Sequence, residues 1–530
     1  MNRQYFFFTH ILLFLLIILF AEQLWPDILL LSAQIIFIPT LFNVIVSQES
    51  IFRKLYPYVA LPAYAAVVIM TLFPSTANVY VATVYGLFTL FIALYGITRF
   101  IQRGFTLIEE FAIDCGLVFL FVGGLWYIAY QGGINTGFSP IITWLTAIHF
   151  HYSSSMMLIF IGFLGRIHKL KTFTPLTMAM IILPWIMALG ITFSRWIELI
   201  GIIIYIVTVY TLILYSIRTT YKNLYQKVSI ITAFLTIGMT IILAGLYILS
   251  NGFGWGLITI QMMLVSHGIM NTILFGFIGL IGWLIDIPKT TYRQPTFPLS
   301  PIRRKFTRAE ENIPATGLVE SFESYIPANE QHNLTRRIKN FYENTHNYSL
   351  HARVKWRRWF LPFAFIYKGF SSITEQINLP LSKRRVEMTG NVYHIDKNTD
   401  NRPDVRAWVR KIAGKLVFIA LYSPYKTSGR TYMNIALPLP LTAMHGILAC
   451  TMTTEGLELT SVRKNSSMQE TGIYLVFGKQ GYFRLPLSET FFIKEVDEKL
   501  IATHDMQIFG LHFLTIDYVI EKKLSHDHEL

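Results

Sequence analysis

Ten stretches of this 530-residue chain are each apolar for about the length of a bilayer crossing, and no other feature constrains the fold as tightly. A span needs about 20 apolar residues. The runs are 5–21, 28–46, 55–73, 78–98, 108–129, 141–164, 174–193, 198–216, 228–249 and 256–286. A backbone inside lipid must satisfy its own hydrogen bonds, so such runs fold as helices. Only 14% of residues are charged, against about 25% in a soluble domain. Residues 1–287 therefore predict a membrane all-α bundle of about ten transmembrane helices. The first run follows Arg3, and FAEQLWP offers no small-x-small cleavage site, which predicts an uncleaved anchor.

Basic residues set the expected topology. With the N-terminus in the cytoplasm, inner loops carry Arg53 and Lys54; Arg99 and Arg103; Arg166, Lys169 and Lys171; and Arg218, Lys222 and Lys227. Among outer-loop residues Arg195 is the exception. This is the positive-inside asymmetry. An even number of spans then puts both termini in the cytoplasm. The net charge of +14 is accounted for in this way, and no nucleic-acid-reading motif accompanies it. Cys115 sits in an apolar run and Cys450 in a strand pattern, so neither a disulfide nor a CxxC metal knuckle is expected.

Past residue 287 the composition changes. Residues 288–345 read as a linker and a charged, partly helical segment, and 346–530 as a β-rich domain. HARVKWRRWFLPFAFIYKGF (351–370) mixes basic and aromatic residues. That pattern suits an element on the inner leaflet or an ordinary half-buried helix. From about residue 383 the apolar period becomes two, in segments such as VRAWVRKI, KLVFIALYS and LHFLTIDYVI. Nine or ten short, closely linked strands predict a cytoplasmic, mainly antiparallel β domain. The preferred form is an up-and-down, lipocalin-like barrel for a small, apolar ligand.

Ionisable groups inside spans are costly and are the first candidates for function. The fifth run carries Glu109 and Glu110 near the wet inner interface, and Asp114 one turn beyond Glu110. The sixth carries His149, His151 and Tyr152, within TAIHFHYSSS. The tenth carries Gln261, Ser266, His267 and Asn271. At 1.5 Å per residue, Asp114 lies about 10–13 Å from the inner edge, the sixth-run histidines about 12–15 Å from the outer edge, and His267 about 16 Å from it. In a core about 30 Å thick, a midplane cluster of Asp114, His149 or His151, Tyr152, His267 and Asn271 is predicted. His149 and His151 are about 200° apart on a continuous helix, so only one can face it. Three readings stand: interhelical hydrogen bonding, a substrate or proton path, and a transition metal or haem held by His149 or His151 with His267. No cofactor is required by any motif. Arg195 and Glu198, in SRWIE, form a surface pair or guard an entrance.

GxSxG, P-loop and HEXXH motifs are absent. AIHFHYSSS, SHGIMNTILFGFIGLIGW and the tail segments GNVYHID, VRAWVRK and YMNIALPLP resemble the bacterial YndJ-like membrane proteins, over most of the chain. That resemblance implies transport, the label commonly given to members. The expectation is a permease-like protein with membrane lipids and a small molecule as partners. An integral-membrane enzyme acting on a lipid or isoprenoid, and a membrane-anchored ligand-binding or signalling protein, are the alternatives.

Overall fold

The computed structural model describes residues 3–22, 25–73, 79–168, 172–256, 258–303, 313–374, 376–427, 429–463, 468, 470–478 and 481–523. Lys169, Lys171 and residues 304–312 of the expected linker lie outside them. The chain forms two compact units: Met1–Phe100 with Leu107–Tyr292, and Ile101–Thr106 with Arg293–Leu530.

The first unit is helical: α1 (Arg3–Phe20), α2 (Ile28–Ile45), α3 (Ile51–Leu72), α4 (Val79–Arg103), α5 (Ile108–Gln131), α6 (Pro140–Ile167), α7 (Phe173–Phe193), α8 (Arg195–Arg218), α9 (Leu224–Phe253) and α10 (Ile260–Ile285). Among the described residues nine of these, α2 to α10, are long and apolar enough to cross a membrane. The apolar part of α1, Gln4–Phe20, is shorter. Local chemistry marks the ends. Ser50 Oγ accepts from Phe52 N at the start of α3, Asn223 caps α9, and Gly254, at φ +77°, closes it.

Three helices depart from α-geometry at one place. Ala33–Phe37 of α2, Phe150–Met156 of α6, and Leu264–Gly268 and Asn271–Ile278 of α10 are wound as π-helix. These wide segments pack against one another. π-turns are rare and recur at functional sites. They also free carbonyls for other partners. His10 of α1 donates through Nδ1 to the Ile35 carbonyl at 2.6 Å.

The second unit is an antiparallel barrel. Its strands are β1 (Tyr348–Trp356), β2 (Arg385–His394), β3 (Arg406–Ile412), β4 (Lys415–Thr427), β5 (Arg430–Leu439), β6 (Thr442–Met452), β7 (Leu457–Thr460), β8 (Gly472–Phe477), β9 (Gly481–Arg484), β10 (Leu487–Val496), β11 (Lys499–Ile508) and β12 (Leu511–Lys522). Neighbours pair in the order β1 to β7, then β10, β11 and β12, and β12 closes onto β1. That ring of ten is an up-and-down barrel, with β8–β9 branching from β6. Closure leaves the ring without an edge for another chain to pair with. Helix α11 (Arg336–Glu343) and the chain before it pack on the barrel, and Phe341, Tyr342 and Leu318 reach its lumen. The Phe322 and Tyr342 rings stack at 4.0 Å.

The stretch 351–370 is two elements rather than one. Tyr348, Leu350, Ala352, Val354 and Trp356 alternate inward, so HARVKW is strand. After Arg357 the chain turns into α12 (Leu361–Thr374), whose Phe365, Phe370 and Ile373 are 73%, 63% and 72% exposed.

Outside the barrel wall, residues 298–302 are held by a polar network. His445 Nδ1 donates to Asn434 Oδ1 (2.9 Å), and its Nε2 accepts from Ser300 N (3.3 Å). Asn434 donates to the Pro298 carbonyl, and the fully buried Arg402 pairs with Asp400 at 2.8 Å. The turn Ile101–Thr106 also belongs to this unit. Phe105 packs on Phe483 and Phe509, and Gly104 (φ +56°) lies against the Arg484 backbone, where a Cβ would come within 2.4 Å. Cys115 and Cys450 are both free.

Candidate functional site

A cavity of about 240 Å³ opens among α2, α6, α7, α8, α9 and α10 in the helical unit. Its walls are mostly aliphatic. His149, Tyr152, Glu198, His267 and Asn271 are among its polar residues. The His149 and His267 rings lie 6.3 Å apart, centroid to centroid. Gly268 makes the close packing possible, since a Cβ there would meet Leu29 Cδ1 at 2.8 Å.

Hydrogen bonds fix what these groups present. A carbonyl oxygen only accepts, so a ring nitrogen bonded to one must carry the proton. His149 Nδ1 donates to Leu145 O (2.7 Å) and His267 Nδ1 donates to Thr240 O (2.9 Å). Each Nε2 is therefore a lone-pair acceptor with no hydrogen bond among the described residues. Asn271 Oδ1 accepts from Thr240 Oγ1 (3.1 Å), which leaves its amide N–H groups as donors. The Tyr152 hydroxyl is taken up by Leu29 O (2.6 Å) and Thr272 Oγ1 (3.2 Å). Glu198 is buried and held by Arg195 at 2.7 Å, while the Arg195 side chain is half exposed. The SRWIE pair thus sets an acid into the cavity wall rather than lying on the surface.

His151 points the other way, as the helix geometry requires. It is fully buried. Its Nδ1 donates to Ala147 O (2.8 Å), its Nε2 accepts from the Tyr85 hydroxyl (2.9 Å), and its ring stacks on Tyr85. Gly123 of α5 admits it, because a Cβ there would sit 2.8 Å from Nδ1.

Asp114 does not join the cavity. It pairs with Arg99 Nε at 3.2 Å. Glu110 accepts from Arg99 (2.7 Å) and from both Nε and Nη2 of Arg166 (2.7 and 2.9 Å). Arg166 also donates to Pro288 O. Glu109 and Glu110 are both buried, and Arg99 of α4 and Arg166 of α6 turn inward to meet Glu110 of α5. Gln261 and Ser266 are not among the cavity-lining residues; Ser266 Oγ bonds its own helix at Met262 O.

Among the described residues no group of three or more His, Cys, Asp or Glu is disposed to hold a metal ion. His149 and His267 alone supply two imidazoles. The sequence reading missed Thr240, which orients both His267 and Asn271; a threonine in an apolar run gives no signal of its own. It also read Arg99 and Arg166 only as loop charges.

The chain was compared with known proteins. The model of the YndJ-like protein family matches residues 28–275, a range that includes every cavity residue named above. The uncharacterized membrane protein YndJ of Bacillus subtilis (strain 168) is 35% identical over 467 residues, which is 83% of each chain. No solved structure matches. The chain is a membrane protein and belongs to the YndJ-like family.

Proposed function

We propose that the chain is a permease of the bacterial plasma membrane, with both termini in the cytoplasm, and that its substrate path runs through the α2–α6–α10 cavity. One observation carries this reading. Three helices are wound as π-helix where they meet, and two histidines with unused Nε2 acceptors face the space they form. Aliphatic walls, two acceptors and the Asn271 amide suit a largely apolar substrate with a hydroxyl or amine. A histidine imidazole can both accept and give up a proton, which suits proton coupling. In this reading the barrel senses or hands over a small molecule on the cytoplasmic side. Helix α12, its aromatics exposed and Arg353, Lys355, Arg357 and Arg358 leading into it, lies on the lipid headgroups.

The test uses cells expressing wild-type protein, His149→Ala, His267→Ala or no protein. Untargeted mass spectrometry compares small molecules inside and outside. At least one compound should shift across the membrane with wild type only. If wild type matches cells without the protein, or both variants match wild type, the cavity is not a transport path.

A further inference from the structure

The barrel lumen contains a guanidinium, that of Arg410, which forms no ion pair among the described residues. Arg410 of β3 is among the residues lining a cavity of about 120 Å³ inside the barrel. Its guanidinium carbon lies 4.3 Å from the ring centroids of both Trp408 and Phe418, which sandwich it. Gly390 on the paired strand β2 makes the room, since a Cβ there would come within 2.7 Å of Trp408 Nε1 and 3.2 Å of Arg410 Cγ. Tyr518 lines the same lumen and interacts with the guanidinium. Its Nε is buried without a hydrogen-bond partner, and no carboxylate among the described residues forms an ion pair with it. Glu489 lines the same lumen, but its carboxylate is engaged by His504 Nε2 at 2.8 Å. The rest of the wall is apolar, with Leu437, Met444, Leu448, Phe491 and Ile520 among its residues.

A guanidinium withdrawn from water at its Nε and not paired with an anion is incompletely satisfied. Its strongest complement is a carboxylate, which it meets with two parallel N–H···O bonds. Trp408 and Phe418 hold the guanidinium plane ready for that geometry. A cavity of about 150 Å³ holds benzene, so this slightly smaller lumen suits a body of about five carbons.

We propose that the barrel lumen is a binding site for a small organic acid, its carboxylate on Arg410 and its apolar body along the aliphatic wall. The proposal rests on the barrel being a ligand-binding part. It does not rest on transport through the helical unit.

The experiment titrates full-length protein in nanodiscs with hexanoate and, separately, with 1-hexanol, by calorimetry. Empty nanodiscs are subtracted to remove partition into lipid. Hexanoate should bind at least tenfold more tightly than 1-hexanol. Arg410→Met should weaken hexanoate at least tenfold and leave 1-hexanol within about threefold. Equal affinities in wild type, or an unchanged hexanoate preference in Arg410→Met, overturn the proposal. Should the variant fail to fold, the wild-type comparison decides alone. If both ligands bind equally and Leu448→Phe abolishes both, the acid class fails and the binding barrel stands. If neither binds, both fall.

Discussion

Replacing His151 by alanine should damage the helical unit, and replacing His149, two residues earlier, should not. His151 is fully buried, gives one hydrogen bond to Ala147 O and takes one from Tyr85, and its ring stacks on Tyr85 at 5.9 Å. Hydrogen bonds between helices in membranes average about 0.6 kcal/mol, with a maximum near 1.7. Deleting a buried ring leaves a void worth about 3 kcal/mol or more. The Tyr85 hydroxyl also loses its acceptor. The total is about 3–4 kcal/mol. His149 bonds only within its own turn and otherwise faces open space, so its loss should cost under about 1 kcal/mol. At about 2–4 °C per kcal/mol, His151→Ala should unfold roughly 6–16 °C below wild type, and His149→Ala within about 4 °C. A thiol-reactive dye on a Cys450→Ala background reads unfolding at Cys115 of α5, which is part of the same bundle. Equal shifts for the two variants, or a larger one for His149→Ala, would refute the assignment of one histidine to packing and the other to the cavity.

Three further outcomes are expected. Burial, then the charges of Arg402 and Arg303, push the His445 imidazole well below 6.5. The unfolded chain therefore takes up that proton first. The stability of the barrel unit should be full above about pH 6.5 and fall by up to about 1.4 kcal/mol per pH unit below it; denaturant melts across pH should show a shallower slope in His445→Gln. Glu110→Gln leaves Arg99 and Arg166 short of an acid, costing about 3–5 kcal/mol, and should sharply lower the yield of folded protein in membranes. A fluorophore placed at Phe365→Cys should be quenched by spin-labelled lipid in anionic nanodiscs, and Phe370→Asp should reduce that quenching without shifting the melting temperature.

The helical unit was legible because apolar runs of bilayer length leave the backbone little choice. The barrel was legible because period-two burial recurs strand after strand, and pairing neighbours in order needs only short turns. HARVKW was misread since its basic residues hid the inward alternation of Leu350, Ala352 and Val354. The opposed facing of His149 and His151 followed from helix geometry, and it survives in the π-wound segment. Depth along each span put Asp114, His149 and His267 at similar levels, yet depth says nothing about which helices touch. Asp114 went to Arg99 instead, because α4 supplied a cation that the loop-charge reading had assigned to topology alone. Lumen chemistry was the least legible: Arg410, Glu489 and His504 lie on three strands, and only the closed register brings them into one space.

The turn at residues 101–106 bears on how the molecule is made. These residues leave the ribosome early, between two helices, while Phe483, Arg484 and Phe509, their partners in the second unit, come near the end of synthesis. The barrel unit is thus finished only after the last strands have formed and taken up a piece made long before. A fragment beginning at residue 293 lacks that piece. The two units are consequently not interchangeable modules on a string: the second is completed by a piece of chain that lies between two helices of the first.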